Sequence, residues 1–334
     1  MGELKKRFDG CLIGGAVGDA LGYPVEFFSL GTIRQKYGDR GFCQMETVDG
    51  VAQISDDTQM ALFTAEGLLL SKKRGVGLKR SIYLSYLDWL TTQNTRRPSE
   101  GARGLMSVAA LYSRRAPGGT CLSALGSGNE GGIATPVNRS KGCGGVMRTA
   151  PVALYCFARG AGVLGADELA AEAAAITHGH ALGHMPSYTL NHILYLIFDG
   201  IEIGEAVNMA IAATAERYEA YEEAEEGLLL FDKALTLAND PTVTDERAIN
   251  ILGAGWVAEE ALAIAIYCAV RHKDDFYDAV CAAVNHSGDS DSTGAIAGNI
   301  IGAYLGIDAI PESFTENLEH REIILKLSSL LRGK

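Results

Sequence analysis

The chain has 334 residues, of which 47% are hydrophobic and 21% charged, with a formal net charge of −12. This is enough apolar chain for one large domain or two average ones, and the acidic balance argues against broad binding to nucleic acid or anionic membranes. The seven cysteines are scattered, odd in number and without a C-x-x-C, no apolar run reaches the ~18 residues of a membrane span, and MGELKKRFDG lacks the apolar core of a signal peptide, so a reduced, cytoplasmic protein is expected.

Residues 9–22, DGCLIGGAVGDALG, predict a helix with Gly10, Gly14, Gly18 and Gly22 at every fourth position. A C-terminal run repeats the device with Gly294, Gly298, Gly302 and Gly306. Glycine inside a helix costs up to ~1 kcal/mol, so two glycine-striped helices predict close backbone approach between them. The first run ends near Glu26 and the second begins at Asp289, so a site shared by those ends requires antiparallel packing. Pro24 stops the first helix, because a proline disfavours helical geometry in the residue before it. Glu26 alone reads as readily as a solvated loop carboxylate.

The stretch ISDDTQMALFTAEGLLLSKKRG predicts a helix capped by Ser55 or Asp56. Two adjacent carboxylates, Asp56 and Asp57, exceed what a cap requires. The helix dipole favours them, but they repel each other, and a divalent cation would remove that repulsion. SIYLSYLDWLTTQ is a further amphipathic helix. Residues 96–145 are the least regular part, with one short helix expected at 105–112; a long loop in a compact domain is usually functional or disordered. Its end, SKGCGGVMRTAP, is a glycine-rich loop ahead of a helix. Such a loop can offer N–H groups to a phosphate or be an ordinary connection; the P-loop spacing is missing.

Beyond it the pattern is nearly all helical. His178, His180 and His184 lack the H-E-x-x-H spacing of a zinc site, which leaves one histidine facing a pocket as the remaining reading. A buried helix is entered through Gly253-Ala254-Gly255-Trp256, where Trp256 is a core residue or a stacking surface for a base. The last segment, PESFTENLEHREIILKLSSLLRG, predicts an exposed amphipathic helix. With no alternating strand runs, no solenoid repeat and no linker, the chain predicts a single all-α domain over residues 1–334.

The turn HSGDSDSTG places Asp289, Asp291 and Ser292 directly before the second glycine helix. Oxygen donors at this spacing suit Mg²⁺ or Mn²⁺; Asp and Ser also suit a helix cap. An EF-hand is excluded, because its twelfth position would be Ile300 rather than Glu. A D-x-D sugar-nucleotide site is excluded too, since nothing reads as parallel strands. The acidic pair at Asp56–Asp57, on an independent helix start, tips the turn toward metal binding.

The pairing of SDDT with GDSDST, together with GGAVGDALGYPVEF, KGCGGVMRTAP, ITHGH and GWVAEEALAIAIYC, resembles the ADP-ribosylglycohydrolase family, from about Gly10 to Leu305. The resemblance implies an all-α fold around a binuclear Mg²⁺ or Mn²⁺ site. It implies metal ligation by Ser55, Asp56 and Asp57 from one side and by Asp289, Asp291 and Ser292 from the other. It places Glu26 beside the scissile bond, Ser140, Lys141, Gly142, Gly144 and Gly145 on the loop that holds the ADP-ribose phosphates, His178 toward substrate, and Gly255 and Trp256 against the ADP-ribose. The chemistry agrees: two cations can grip vicinal ribose hydroxyls, and a carboxylate can shuttle the proton of an attacking water. Glu26 is expected in that role, with Asp57 as the competitor.

The expected activity is removal of ADP-ribose from a protein side chain, with arginine favoured over serine or O-acetyl linkage. An acidic rim suits a guanidinium, with Glu100, Glu130, Glu259 and Glu260 as candidates. The alternatives are an immunity protein against an ADP-ribosylating toxin, and a non-catalytic ADP-ribose binder. The expected partners are an ADP-ribosylated protein and ADP-ribose, without nucleic acid or membrane, and a monomer is expected.

Overall fold

Two helices, α1 (Gly2–Gly22) and the later Ser290–Leu305 segment, form the centre of the molecule. In the computed structural model, which describes residues 2–333, every residue from Phe8 to Gly22 is buried. A helix buried around its whole circumference is a core helix.

The chain leaves α1 through a 3₁₀ turn at Tyr23–Val25, then forms α2 (Leu30–Tyr37), α3 (Asp56–Arg74) and α4 (Leu78–Asn94). The irregular stretch holds two 3₁₀ turns, Gly104–Ser107 and Ala109–Tyr112, and α5 (Gly119–Gly126). The glycine loop then enters a 3₁₀ helix at Cys143–Arg148 and α6 (Ala150–Ala158). There follow α7 (Val163–Ala175), α8 (Ala181–Phe198), α9 (Ile203–Arg217), α10 (Ala224–Ala238) and α11 (Asp245–Leu252). The chain closes with α12 (Ala258–Arg271), α13 (Phe276–Val284), α14 (Ser290–Leu305), α15 (Glu312–Thr315) and α16 (Arg321–Leu331). Isolated β-bridges occur among the described residues, but no sheet. No helix among them is long and apolar enough to cross a membrane.

The glycine stripes interlock as the sequence predicts. A Cβ on Gly10, Gly14, Gly18 or Gly22 would lie closer than 3.0 Å to the carbonyl oxygen of Gly302, Gly298, Gly294 or Ser290 respectively. The partner numbers fall as the first set rises, so the helices run antiparallel. The end of α1 therefore meets the start of α14. Asn299 locks the pair by donating its Nδ2–H to the Cys11 carbonyl at 2.7 Å. Around this pair, α12 and α13 pack on α14, and α16 packs on α1 and α3.

Two segments differ from expectation. The residues near 105–112 form two 3₁₀ turns rather than a helix. The C-terminal segment breaks at His320, whose φ of 59° is left-handed. The resulting α16 is not an exposed helix: it buries Ile324, Leu327, Ser328 and Leu331, and Ser328 donates to Asp9 of α1 at 2.6 Å.

Candidate active site

Three helix ends converge on one cleft. Glu26 follows the 3₁₀ turn that ends α1, Asp56 and Asp57 open α3, and Asp289 and Asp291 open α14. The N-termini of α3 and α14 both place positive dipole ends beside these carboxylates. Ser55 caps α3 by accepting from the Asp57 N–H at 3.2 Å. Asp289 caps α14 by accepting from the Ser292 N–H at 3.4 Å, so the turn is a helix cap as well.

Asp19 fixes α3 to α1. It lies one residue beyond Gly18, is fully buried, and its carboxylate accepts from the Ser55 N–H at 2.9 Å and the Thr58 N–H at 3.0 Å. The opposite wall is the glycine loop. Its Lys141 carbonyl accepts from the Ala258 N–H at 2.8 Å, and the Cys143 N–H donates to the Trp256 carbonyl at 3.3 Å. The Cys143 thiol donates to Asp289 Oδ2 at 2.6 Å, and the Gly118 N–H donates to Asp56 Oδ2 at 3.2 Å.

The cleft has a volume of about 190 Å³ and is lined by Glu26, Asp56, Asp57, Gly142, Gly144, His178, Trp256, Asp289, Asp291 and Ser292, among others. At the mouth, exposed Phe27 stacks on Trp256 with ring centroids 5.9 Å apart and planes 19° apart. Ser55 lies behind the wall, Gly145 packs beneath the loop, and Gly255, at a left-handed φ of 82°, sits against Thr293 and Asp289. The Ser140 hydroxyl shares a hydrogen bond with Thr120 at 3.3 Å. The Lys141 ammonium is held by Glu259 and Glu226. Three of the four glutamates suggested for an acidic rim are engaged within the protein. Glu259 is buried on Lys141, Glu260 accepts the Ala254 and Gly255 N–H groups at 2.9 and 3.1 Å, and Glu130 pairs with Arg80.

The carboxylates lack counter-charge of their own. Burial, then repulsion from Asp291, Asp289 and Asp56, pushes the Glu26 carboxyl up to about 10. Burial, then Asp291, pushes Asp19 up to about 7. Asp56, Asp57 and Asp289 rise well above the carboxylate range, and Asp291 rises too, in each case chiefly through burial. Glu26 Oε2 and Asp57 Oδ2 are buried with no hydrogen-bond partner. Glu26, Asp289 and Asp291 each present an oxygen within 4.8 Å of the others. Orphaned, mutually repelling oxygens at this spacing fit a hard divalent cation.

Sequence patterns did not single out Asp19, Cys143, Gly118 or Phe27 for the site. Asp19 had a signal in hindsight: a lone carboxylate inside an otherwise apolar, glycine-striped helix must find partners when buried.

Comparison with known proteins agrees with this architecture. A model of the ADP-ribosylglycohydrolase family matches residues 1–334, and the chain belongs to that family. It is 25% identical over 338 residues to the ADP-ribosyl-[dinitrogen reductase] glycohydrolase of Rhodospirillum rubrum, covering 98% of this chain and 97% of that one. It is 24% identical over 332 residues to the ADP-ribosylarginine hydrolase Tri1 of Pseudomonas putida, covering 97% of this chain and 77% of the relative. A solved structure described as an ADP-ribosylglycohydrolase-related protein complex superposes with a TM-score of 0.66 at 26% identity, covering 99% of each chain.

Proposed function

We propose that this ADP-ribosylglycohydrolase family member hydrolyses the N-glycosidic bond of ADP-ribosylated arginine side chains, releasing ADP-ribose. The observation that carries the reading is the convergence of Glu26, Asp56, Asp57, Asp289 and Asp291 on one buried cleft, with orphaned oxygens on Glu26 and Asp57. Two Mg²⁺ or Mn²⁺ ions are the proposed cofactors, held by Ser55, Asp56 and Asp57 on one side and by Asp289, Asp291 and Ser292 on the other. When bound, the ions supply the positive charge that ionises the cluster and makes water nucleophilic near neutral pH. The substrate is an ADP-ribosylated protein.

The chain's own groups divide the remaining work. Glu26 Oε2 takes the proton of the attacking water and returns one to the departing nitrogen. The close grouping of Glu26 with Asp289 and Asp291 also supports a second reading, in which Glu26 is a ligand and Asp57 Oδ2 carries the proton. The glycine loop from Ser140 to Gly145, with Gly255 and Trp256, holds the ADP-ribosyl group. His178 faces the same ligand. Lys141 is committed to Glu259 and Glu226, so its ammonium contributes less to anion binding than a free lysine would. The arginine linkage is supported by the likeness to the P. putida relative, an ADP-ribosylarginine hydrolase.

The test is ADP-ribose release from arginine-, serine- and O-acetyl-linked ADP-ribose, with and without Mg²⁺ or Mn²⁺. Metal-dependent release from the arginine conjugate is expected. Release from the serine or O-acetyl conjugate alone would replace the linkage, and binding without release would refute the enzymatic reading.

A further inference from the structure

Arg148 is fully buried at the end of the 3₁₀ helix, one layer behind the cleft wall. It donates only to neutral groups: Thr177 Oγ1 at 2.7 Å, the Ala173 carbonyl at 3.2 Å, Cys121 Sγ at 3.3 Å and Met60 Sδ at 3.4 Å. Its guanidinium lies 4.3 Å from the centroid of the Tyr86 ring. A buried cation with no carboxylate partner is costly. Here the molecule holds one within a layer of its densest group of buried carboxylates, yet uses it on a threonine.

That threonine links it to the cleft. Thr177 Oγ1 lies 2.8 Å from His178 Nδ1. Guanidinium can only donate, so Arg148 fills one of the two lone pairs of the Thr177 oxygen, and the hydroxyl hydrogen is available to Nδ1. A histidine that accepts at Nδ1 carries its proton on Nε2. The His178 Nε2 atom lies against the glycine loop: a Cβ on Gly142 or on Gly144 would each meet it at 3.4 Å. His178 also lines the cleft.

We propose that Arg148 and Thr177 are positioning residues that hold His178 as the neutral Nε2–H tautomer, presenting a fixed hydrogen-bond donor to an anionic oxygen of the ADP-ribosyl diphosphate. The identity of that oxygen rests on the proposed function; the tautomer does not. Burial and the Arg148 charge push His178 down to about 3, so the ring remains a neutral donor. Neutrality suits this cleft. A protonated imidazole would be drawn toward the carboxylates, whereas a neutral N–H can be aimed at the ligand. It also compensates for the Lys141 ammonium, which is turned away onto Glu259.

The experiment uses the full-length protein labelled with ¹⁵N-histidine. Long-range ¹H–¹⁵N correlation spectra report which ring nitrogen carries the proton, and the His178 signals are identified by their loss in His178→Asn. Wild type should show Nε2 protonated and Nδ1 bare, Thr177→Ser should keep that pattern, and Thr177→Val should lose it. In parallel, calorimetry with ADP-ribose and Mg²⁺ should give a Kd about tenfold weaker in Thr177→Val, the loss of about one hydrogen bond to a charged oxygen. Thr177→Ser should stay within about twofold of wild type on the same scale. Nδ1 protonated in wild type, or an unchanged tautomer in Thr177→Val, would overturn the relay. Unchanged ADP-ribose affinity in a Thr177→Val protein with an altered tautomer would overturn the donor role. Neither readout requires turnover, so absence of hydrolysis would count against the proposed function alone.

Discussion

Gly18→Ala tests whether the α1–α14 contact builds the site. The new methyl would lie closer than 3.0 Å to the Gly294 carbonyl oxygen and carbon, and both are backbone atoms. No rotamer change relieves such a clash, so the two helices must separate. Overpacking a tight core costs about 1–3 kcal/mol, and the absence of side-chain slack argues for the upper end, about 3. Alanine returns up to about 1 kcal/mol of helix propensity. The net loss is about 2 kcal/mol, or on the order of 3 °C in Tm at the specific unfolding entropy of a chain this long. The control is Gly165→Ala in α7, at an exposed helical glycine where a Cβ would meet nothing within 4 Å. It should gain about 0.5–1 kcal/mol. Urea and thermal unfolding of both variants measure the difference. Because Glu26 and Asp289–Asp291 are carried by the separated helix ends, the folded Gly18→Ala protein should also bind Mn²⁺ more weakly by calorimetry. Equal stabilisation by both substitutions would refute the reasoning, since it would mean that the helices are free to accept a methyl between them.

Asp291→Asn removes a charge from the cation-binding cluster, so hydrolysis should fall to background while circular dichroism stays that of the folded chain; retained turnover would refute the assignment. In wild type, Mg²⁺ or Mn²⁺ should raise Tm, and Asp291→Asn should shrink that rise. Asp19→Asn leaves the Ser55 or Thr58 N–H without a full acceptor, which costs about 1–3 kcal/mol; denaturant melts should show it, and an effect within 0.5 kcal/mol would exclude Asp19 as the anchor of α3. His184, which shares a hydrogen bond with the Tyr218 hydroxyl at 2.8 Å, is pushed down to about 4, chiefly by burial. Its folded pKa lies below its unfolded value near 6.5, so its contribution to stability is present above pH 6.5 and is lost as pH falls toward 4. The difference in unfolding free energy between wild type and His184→Gln should therefore narrow as pH drops from 7 to 4.5, and a constant difference would exclude His184 as a source of acid lability.

What the sequence determined by itself is local or periodic. The glycine stripes predicted the antiparallel central pair, because a four-residue period places every glycine on one face and the energetic cost of glycine requires a reason. The two acidic clusters at helix starts pointed to a cation, because capping alone needs one side chain there and the sequence supplies two carboxylates side by side. Helix content was legible from patterning, whereas the His320 break was not, since a left-handed non-glycine residue leaves no local mark. Tertiary structure decided the partners. It turned Asp19 from a polar blemish in a glycine helix into the anchor of α3, 36 residues away. It sent Lys141 to Glu259, 118 residues on, because that buried carboxylate needs a counter-charge. It made Glu260 a brace for the Ala254–Gly255 loop. It placed Arg148 behind His178, where a cation in a motif that reads as an ordinary helix start can set a tautomer. Spacing along the chain fixes which residues share a helix face; which buried charge meets which is settled only when the helices pack and each orphaned donor or acceptor must find its partner.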